Sequence, residues 1–277
     1  MRTLITGAGG QLGSDLARLL PDASALAREE LDVSDARAVK RAFAAVRPQL
    51  VLNCAAYNAV DRAETEPELA RAVNAEGPRL LAEACARSGV RLVHFSTNFV
   101  FGGEAARPYT EEDPPRPLGA YARSKLEGEI AVLAVLPSAL VVRSAGLFGV
   151  RGSHVKGGSF PERIIARARS GEPVRVVNDQ RLNPTFTAHL AAAALEFVES
   201  GVTGVVHAVA EGCCSFSELA REALSLAGLE VAVAEISTAD LAAPAARPLN
   251  GCLASVRVRP LPHWRDGLRE WWRLLGD

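Results

Sequence analysis

Leu4-Ile-Thr-Gly7-Ala-Gly-Gly10-Gln11-Leu12-Gly13 stands at the start of the chain. Leu4 to Thr6 reads as a short apolar strand. Leu12, Leu16, Leu19 and Leu20 then recur at helical spacing,. Between them, glycines at 7, 10 and 13 allow a tight turn, close approach of backbone to a pyrophosphate, and close packing of helix on strand. The first-turn amides of such a helix favour an anion. Gly7, Gly10, Gln11, Leu12 and Gly13 are therefore candidate dinucleotide-binding residues. Three glycines alone also fit an ordinary turn; their place between strand and helix is what points to a cofactor.

Outward from this unit, β-type runs occur at 23–27, 50–53, 91–96, 140–143 and 174–177. Helical patterns lie between most of them: Ser34 to Val46 with Ser34 as N-cap, Glu68 to Ser88 ending at Gly89, and Tyr121 to Leu136. Strands alternating with helices predict an α/β fold with a doubly wound parallel sheet. Later helices are expected at 160–169, 187–199, 215–227 and 264–275. Two long loops stand out, Gly102 to Gly119 with Pro114, Pro115 and Pro117, and Gly149 to Ser159 with glycines at 149, 152, 157 and 158. Long loops in compact domains are often functional. The expected organisation is a dinucleotide-binding domain over 1–145, to which some later segments return, and a smaller substrate-binding lobe over 146–277.

Composition narrows the function. The chain has 277 residues, 48% hydrophobic and 23% charged, with a net charge of -1. That is ordinary globular usage, with no basic excess for nucleic acid. No apolar run approaches a membrane span, and no signal-peptide pattern opens the sequence. A cytoplasmic protein acting on a small molecule is expected. Five cysteines without a C-x-x-C pair are read as reduced, mostly buried thiols,. His94, His189 and His207 show no metal-site spacing and are read as structural. Trp271-Trp272 reads as tail-helix packing or an oligomer contact.

Only three lysines occur, Lys40, Lys125 and Lys156, so their positions are informative. Tyr121-Ala-Arg-Ser-Lys125 puts a phenol and an ammonium on one helix face,. Chance alone would give about 0.03 such pairs in this composition. Tyr has an ordinary pKa near 10 and needs a neighbouring cation to exchange a proton near neutrality. Ser96-Thr97 ends the strand that starts at Arg91, at the carboxyl edge of the sheet. A hydroxyl there could bind a substrate carbonyl or simply cap a turn. Asn53-Cys54-Ala55-Ala56 closes its strand with small residues, as a backbone passing close to a cofactor would, or as a well-packed turn. Where an acid would grip the ribose of NAD, Ala27-Arg28 stands instead. Arginine suits a 2'-phosphate, though Glu29 and Glu30 follow and a plain surface arginine is the alternative.

The order glycine loop, Asn-x-Ala-Ala, Ser-Thr, Tyr-x-x-x-Lys resembles the extended short-chain dehydrogenase/reductase family, with its Rossmann sheet. More narrowly it resembles the dTDP-4-dehydrorhamnose reductases. The residues that carry this are Thr6 to Gly13, Leu31-Asp-Val, Asn53 to Glu64, Ser96 to Phe101, Tyr109-x-Glu-x-Asp113, Asp179-Gln180 with Pro184-Thr185, and Arg247-Pro248. The resemblance implies Thr97, Tyr121 and Lys125 as the catalytic trio reducing C4 of a nucleotide-linked 4-keto-6-deoxy sugar with NADPH, NADH being admitted. It implies cofactor contacts at Arg28, Asp32, Val33, Cys54, Ala55, Ala56, Tyr57 and Asn74, and with Tyr121 and Lys125. It places Val60, Thr97, Asn98, Gly146 and Arg247 at the substrate. A homodimer is admitted; partners among nucleic acids or membranes are not.

The departures from that family's pattern lie at Asn58, Asn98, Leu182 and Gly146. Gly146 stands where many members carry a tryptophan, with Phe148 or Tyr57 expected to fill the space. An acid often follows the Ser-Thr pair in dehydratases of this scaffold, and Asn98 is none. An epimerase, and a non-catalytic NADP-binding subunit like the regulatory subunit of methionine adenosyltransferase, stand as alternative readings. Some members hold magnesium at a dimer contact. Asp15 occupies one acidic position of that site, the others are not found, and no metal is predicted.

Overall fold

The computed structural model describes residues 1–151 and 157–276. Gly152 and Lys156, singled out above, lie outside the described residues. In chain order the first half runs β1 (Thr3–Thr6), α1 (Gln11–Leu19), β2 (Ser24–Leu26), α2 (Ala36–Val46), β3 (Leu50–Asn53), α3 (Pro67–Arg71), α4 (Gly77–Ser88), β4 (Arg91–Thr97), α5 (Ala120–Val135) and β5 (Leu140–Ser144). Then follow β6 (Leu147–Phe148), α6 (Phe160–Arg169), β7 (Val174–Val177), β8 (Arg181–Leu182), β9 (Thr185–Phe186), α7 (Thr187–Glu199) and β10 (Gly204–His207). The chain closes with β11 (Cys214–Ser215), α8 (Phe216–Leu226), β12 (Val233–Ile236), α9 (Thr238–Leu241) and α10 (Trp264–Gly276).

Six strands form one sheet in the order β10-β5-β4-β3-β1-β2, every pair parallel. The chain leaves β1 for β2 on one side and returns to β3 on the other. Their carboxyl ends thus flank a topological switch point, where α/β sheets open a ligand crevice. Both faces are covered, so the strands are apolar on both sides. Ile5, Leu52, Val93 and Val142 pack beneath α1 and α7. Leu4, Val51, Leu92 and Val141 pack beneath α2, α4 and α5, the alternation that a pleated strand imposes. α4 stops at Gly89, whose φ of 63° needs no Cβ,.

Three expectations change. Ser34 is not the cap of α2, because its amide and hydroxyl both donate to Asp32 Oδ1 in a local turn. Asp35 takes the cap by accepting from the Arg37 amide at 2.8 Å. Val174–Val177 is a strand, but it pairs with β12 outside the main sheet; the sixth strand of the sheet is Gly204–His207. Cys213 and Cys252 are not free thiols. The fold brings their Cα atoms to 6.0 Å and they form a disulfide, while Cys54, Cys85 and Cys214 are free.

Outside the six-stranded sheet, α6, α8, α10 and the short strand pairs around them gather further apolar clusters. Trp271 is fully buried there and donates from Nε1 to the Gly149 carbonyl at 2.9 Å, so this tryptophan packs the tail helix onto the glycine loop. Residues 187–207 return to the main sheet as α7 and β10. Buried Asp15 accepts from the Thr187 hydroxyl at 2.6 Å and ties α1 to α7. Among the described residues no His, Cys, Asp or Glu cluster of three or more could hold a metal. No described helix is long and apolar enough to cross a membrane.

Candidate active site

The glycine turn is sterically specified. Gly7 has φ +66°, and a Cβ there would stand 2.7 Å from the Ala55 amide nitrogen across the switch point. A Cβ at Gly13 would meet Ala8 Cα at 2.8 Å. Gly10 donates to the Gly7 carbonyl at 3.0 Å and starts α1 with no side chain capping it. The first-turn amides of α1, from Gln11, Leu12 and Gly13, are thus left for an anion. Gln11 Oε1 is buried without a hydrogen-bond partner. An uncapped helix start, a backbone cradle and an orphaned acceptor together fit a dinucleotide.

Around this cradle lie the other cofactor candidates. Arg28 is exposed, close enough to draw the Asp32 carboxyl below its ordinary value, although the Ser34 hydroxyl is the larger cause. Val33 is buried, and Gly77 at the start of α4 is small because a Cβ would press on Val33 Cγ2 at 2.8 Å. Cys54 and Ala55 are half-buried and Ala56 is exposed. Burial pushes the Cys54 thiol up, with Lys125 opposing. Asn74 is fully buried in a π-helical turn between α3 and α4. Its Oδ1 accepts from the Tyr57 amide at 2.8 Å, and its Nδ2 donates to the Tyr57 carbonyl at 2.9 Å and to Ser124 Oγ at 3.0 Å. It thereby clips the loop after β3 to α5. The Tyr57 hydroxyl donates to Glu66.

Thr97 and Tyr121 meet through a side-chain hydrogen bond, and Lys125 reaches β4 at the Phe95 carbonyl. Thr97 ends β4 and accepts from the Phe99 amide at 3.2 Å. Burial raises the Tyr121 phenol above its ordinary value, while a side-chain hydrogen bond with Thr97 opposes the rise. The Tyr121 ring meets Phe99 edge-on at 5.7 Å. One turn along α5, Lys125 is 2% exposed and donates from Nζ to the Phe95 carbonyl at 2.7 Å. Burial pulls its ammonium down to about 8, with Glu129 and Cys54 opposing. A proton donor, a hydroxyl and a titratable cation therefore share one crevice edge, the equipment for protonating an oxygen as it gains charge.

The substrate candidates fall into two groups. Asn98 is buried beside Thr97, accepts from its hydroxyl at 3.3 Å, and donates to the Gly251 carbonyl at 2.9 Å. Gly146 follows β5, whose last residue Ser144 is the register partner of Thr97. Ser144 Oγ is buried without a partner. Val60 is half-buried, and its neighbour Asp61 accepts from Arg247 Nη2 at 2.8 Å and from the Ala245 amide at 3.2 Å. The Arg247–Asp61 pair was not legible in sequence, because the two residues are 186 positions apart.

His94, which the sequence marks as structural, lies with its Nε2 3.5 Å from Lys125 Nζ, a proximity that no local pattern shows. The available signal was a lone imidazole in the apolar strand Arg91–Phe95. His189 pairs with Glu270 at 2.8 Å. His207 lies over the carbonyls of Tyr109 and Ala254 at 3.1 and 2.9 Å. Both of these do hold structure together.

Comparison with known proteins places this geometry. Residues 1–275 match the family model described as RmlD substrate binding domain. A probable dTDP-4,6-dihydroxy-2-methyloxan-3-one 4-ketoreductase of Streptomyces antibioticus is 43% identical, over 98% of this chain and 94% of its own. A dTDP-4-dehydrorhamnose reductase of Streptomyces griseus is 42% identical, over 97% and 92%. The crystal structure of dTDP-4-dehydrorhamnose reductase from Bacillus anthracis in complex with NADP superposes with a TM-score of 0.93. It covers 99% of both chains at 32% identity.

Proposed function

Because the chain belongs to the RmlD substrate-binding-domain family, we propose that it is an NADPH-dependent dTDP-4-dehydrorhamnose reductase. It reduces the 4-keto group of a dTDP-linked 6-deoxyhexulose to give dTDP-L-rhamnose or a close relative. The observation that carries this reading is the convergence of Thr97, Tyr121 and Lys125 beside an uncapped glycine turn, in a chain with reductase relatives above 40% identity.

The glycine turn would hold NADPH, with Arg28 for its 2'-phosphate, and the bound cofactor would supply the hydride for C4. The chain's own residues manage the proton. The Thr97 hydroxyl orients the carbonyl oxygen and Tyr121 donates its phenolic proton to that oxygen. Lys125 binds the nicotinamide ribose and, as an ammonium, favours the phenolate left behind. Burial alone would hold the Tyr121 proton too tightly, and the side-chain hydrogen bond with Thr97 offsets part of this,. Asn98, Val60, Gly146 and Arg247 are assigned to the sugar nucleotide, Arg247 toward its nucleotide end. Asp32, Val33, Cys54 to Tyr57 and Asn74 are assigned to the cofactor side.

The substrate lobe is proposed to comprise 146–277 apart from the returning 187–207. A cytoplasmic location, read from the absence of a membrane span and of a signal-peptide pattern in the sequence, and a homodimer, which the resemblance admits, belong to the same proposal; light scattering on the purified protein tests the dimer. The reductase reading is tested by following NADPH absorbance with dTDP-4-dehydrorhamnose. Stoichiometric oxidation with formation of the 4-hydroxy sugar is expected. Tight NADPH binding without turnover would overturn it in favour of a binding subunit.

A further inference from the structure

Three neighbouring strands set Thr6, Asn53 and His94 side by side as register partners. All three are at most 1% exposed. The Thr6 hydroxyl donates to Asn53 Oδ1 at 2.7 Å, and the Ala55 amide points to the same oxygen at 3.3 Å. A backbone N–H can only donate, so this oxygen's place in the amide is fixed. Asn53 Nδ2 therefore faces His94 Nδ1, at 3.0 Å, as a donor. A neutral imidazole that accepts at Nδ1 carries its proton on Nε2, and that N–H faces Lys125 Nζ at 3.5 Å. An ammonium has three donors and no lone pair. The charged lysine thus confronts another donor, whereas the free amine has a lone pair to receive it.

We propose that His94 is a positioning residue for Lys125: its tautomer, set by Thr6, Asn53 and the Ala55 amide, turns an N–H toward Nζ and so favours the free amine over the ammonium there. Lys125 can then pass its ammonium proton to the Tyr121 phenolate after each turnover, become the free amine, and take up a proton from water in its place, a role that rests on the reductase reading. Burial and the Lys125 charge keep His94 itself neutral, well below its ordinary titration range. The other titratable groups acting on Lys125 are Glu129 on α5 and Cys54 after β3. Glu129 favours the ammonium, but its carboxylate is already shared with Arg143, at 2.7 Å, and with Ser96.

With only three lysines in the chain, carbon-13-labelled lysine gives a spectrum in which Lys125 can be titrated directly. His94→Asn keeps an oxygen for Asn53 and removes the group facing Nζ; His94→Gln places an amide oxygen within reach of Nζ. The wild-type Lys125 midpoint is expected at about 8, and at least about one pH unit higher, a tenfold change in protonation ratio, in both variants. The alkaline limb of the kcat profile should rise with it. Nitrogen-15 histidine spectra of the wild type, which need no variant to fold, should show His94 protonated at Nε2. Protonation at Nδ1, or a Lys125 midpoint moved by less than about 0.3 in both variants, overturns the proposal. The titrations use neither substrate nor turnover, so a chain without reductase activity would refute the proposed function and leave these readings intact.

Discussion

Leu182 Cδ1 lies 2.5 Å from the point where a side-chain carbon on Gly146 would stand. The two departures from the family pattern are thus one steric exchange, a leucine occupying space beside a glycine. Neither expected substitute fills it. Phe148 is fixed between Phe186 and Trp271, at centroid distances of 5.7 and 6.0 Å, and Tyr57 is turned to Glu66. Gly146→Trp should therefore lower both the melting temperature and kcat/KM. Overpacking costs about 1–3 kcal/mol, and a φ of +57° adds roughly 1–2 kcal/mol for a residue with a Cβ. Adding Leu182→Ala should recover the first loss but not the second. A rise in kcat/KM for Gly146→Trp alone would mean that the sugar site simply lacks a wall.

Tyr121→Phe removes one hydroxyl from a half-buried ring that keeps its edge contact with Phe99. Turnover should fall by about 10²–10⁴, the usual worth of a positioned acid, while NADPH binding measured by fluorescence titration changes little. Retention of more than about half of wild-type kcat would assign the proton donor elsewhere.

Arg28 is exposed just after the edge strand β2, with Asp32 in its field, and its guanidinium suits the 2'-phosphate that NADPH has and NADH lacks. NADPH should be preferred over NADH by roughly tenfold, about 1.4 kcal/mol, and Arg28→Ala should shrink that ratio chiefly through KM for NADPH. Equal kcat/KM for both cofactors in the wild type would leave the arginine without this role.

His94 and His207 both have depressed pKa values, burial being the first cause in each. A base titrating lower in the folded than in the unfolded chain leaves the unfolded state binding more protons as pH falls below about 6.5. Stability is therefore full above that pH and declines below it, by up to about 1.4 kcal/mol per pH unit for each histidine. Carboxylates held low by their partners, such as Asp32 and Glu76, add losses only at more acid pH. Urea midpoints between pH 5 and 7 should fall toward acid, less steeply in His94→Asn. Identical slopes in the two proteins would show that His94 carries no part of the linkage.

The local pattern of the chain determined the parts that depend on neighbours in sequence. The glycine turn follows from three spacings within one strand-helix unit, and Tyr121 and Lys125 share a face because the helical period places them there. The helices Phe160–Arg169 and Thr187–Glu199 were also legible, although the pattern after the second long loop is weaker. Only the tertiary structure decided what depends on partners distant in sequence. Strand register, set by packing on both faces of the sheet, aligned Thr6, Asn53 and His94 and so brought an imidazole to Lys125. Chain crossings brought Cys213 to Cys252 and Asp61 to Arg247. Val174–Val177 carried a strand's composition, but composition does not say which strand it pairs with; β12 took it out of the main sheet. Side-chain identity sets the chemistry available at each position, while the fold chooses which of those groups share the dry space in which that chemistry becomes strong.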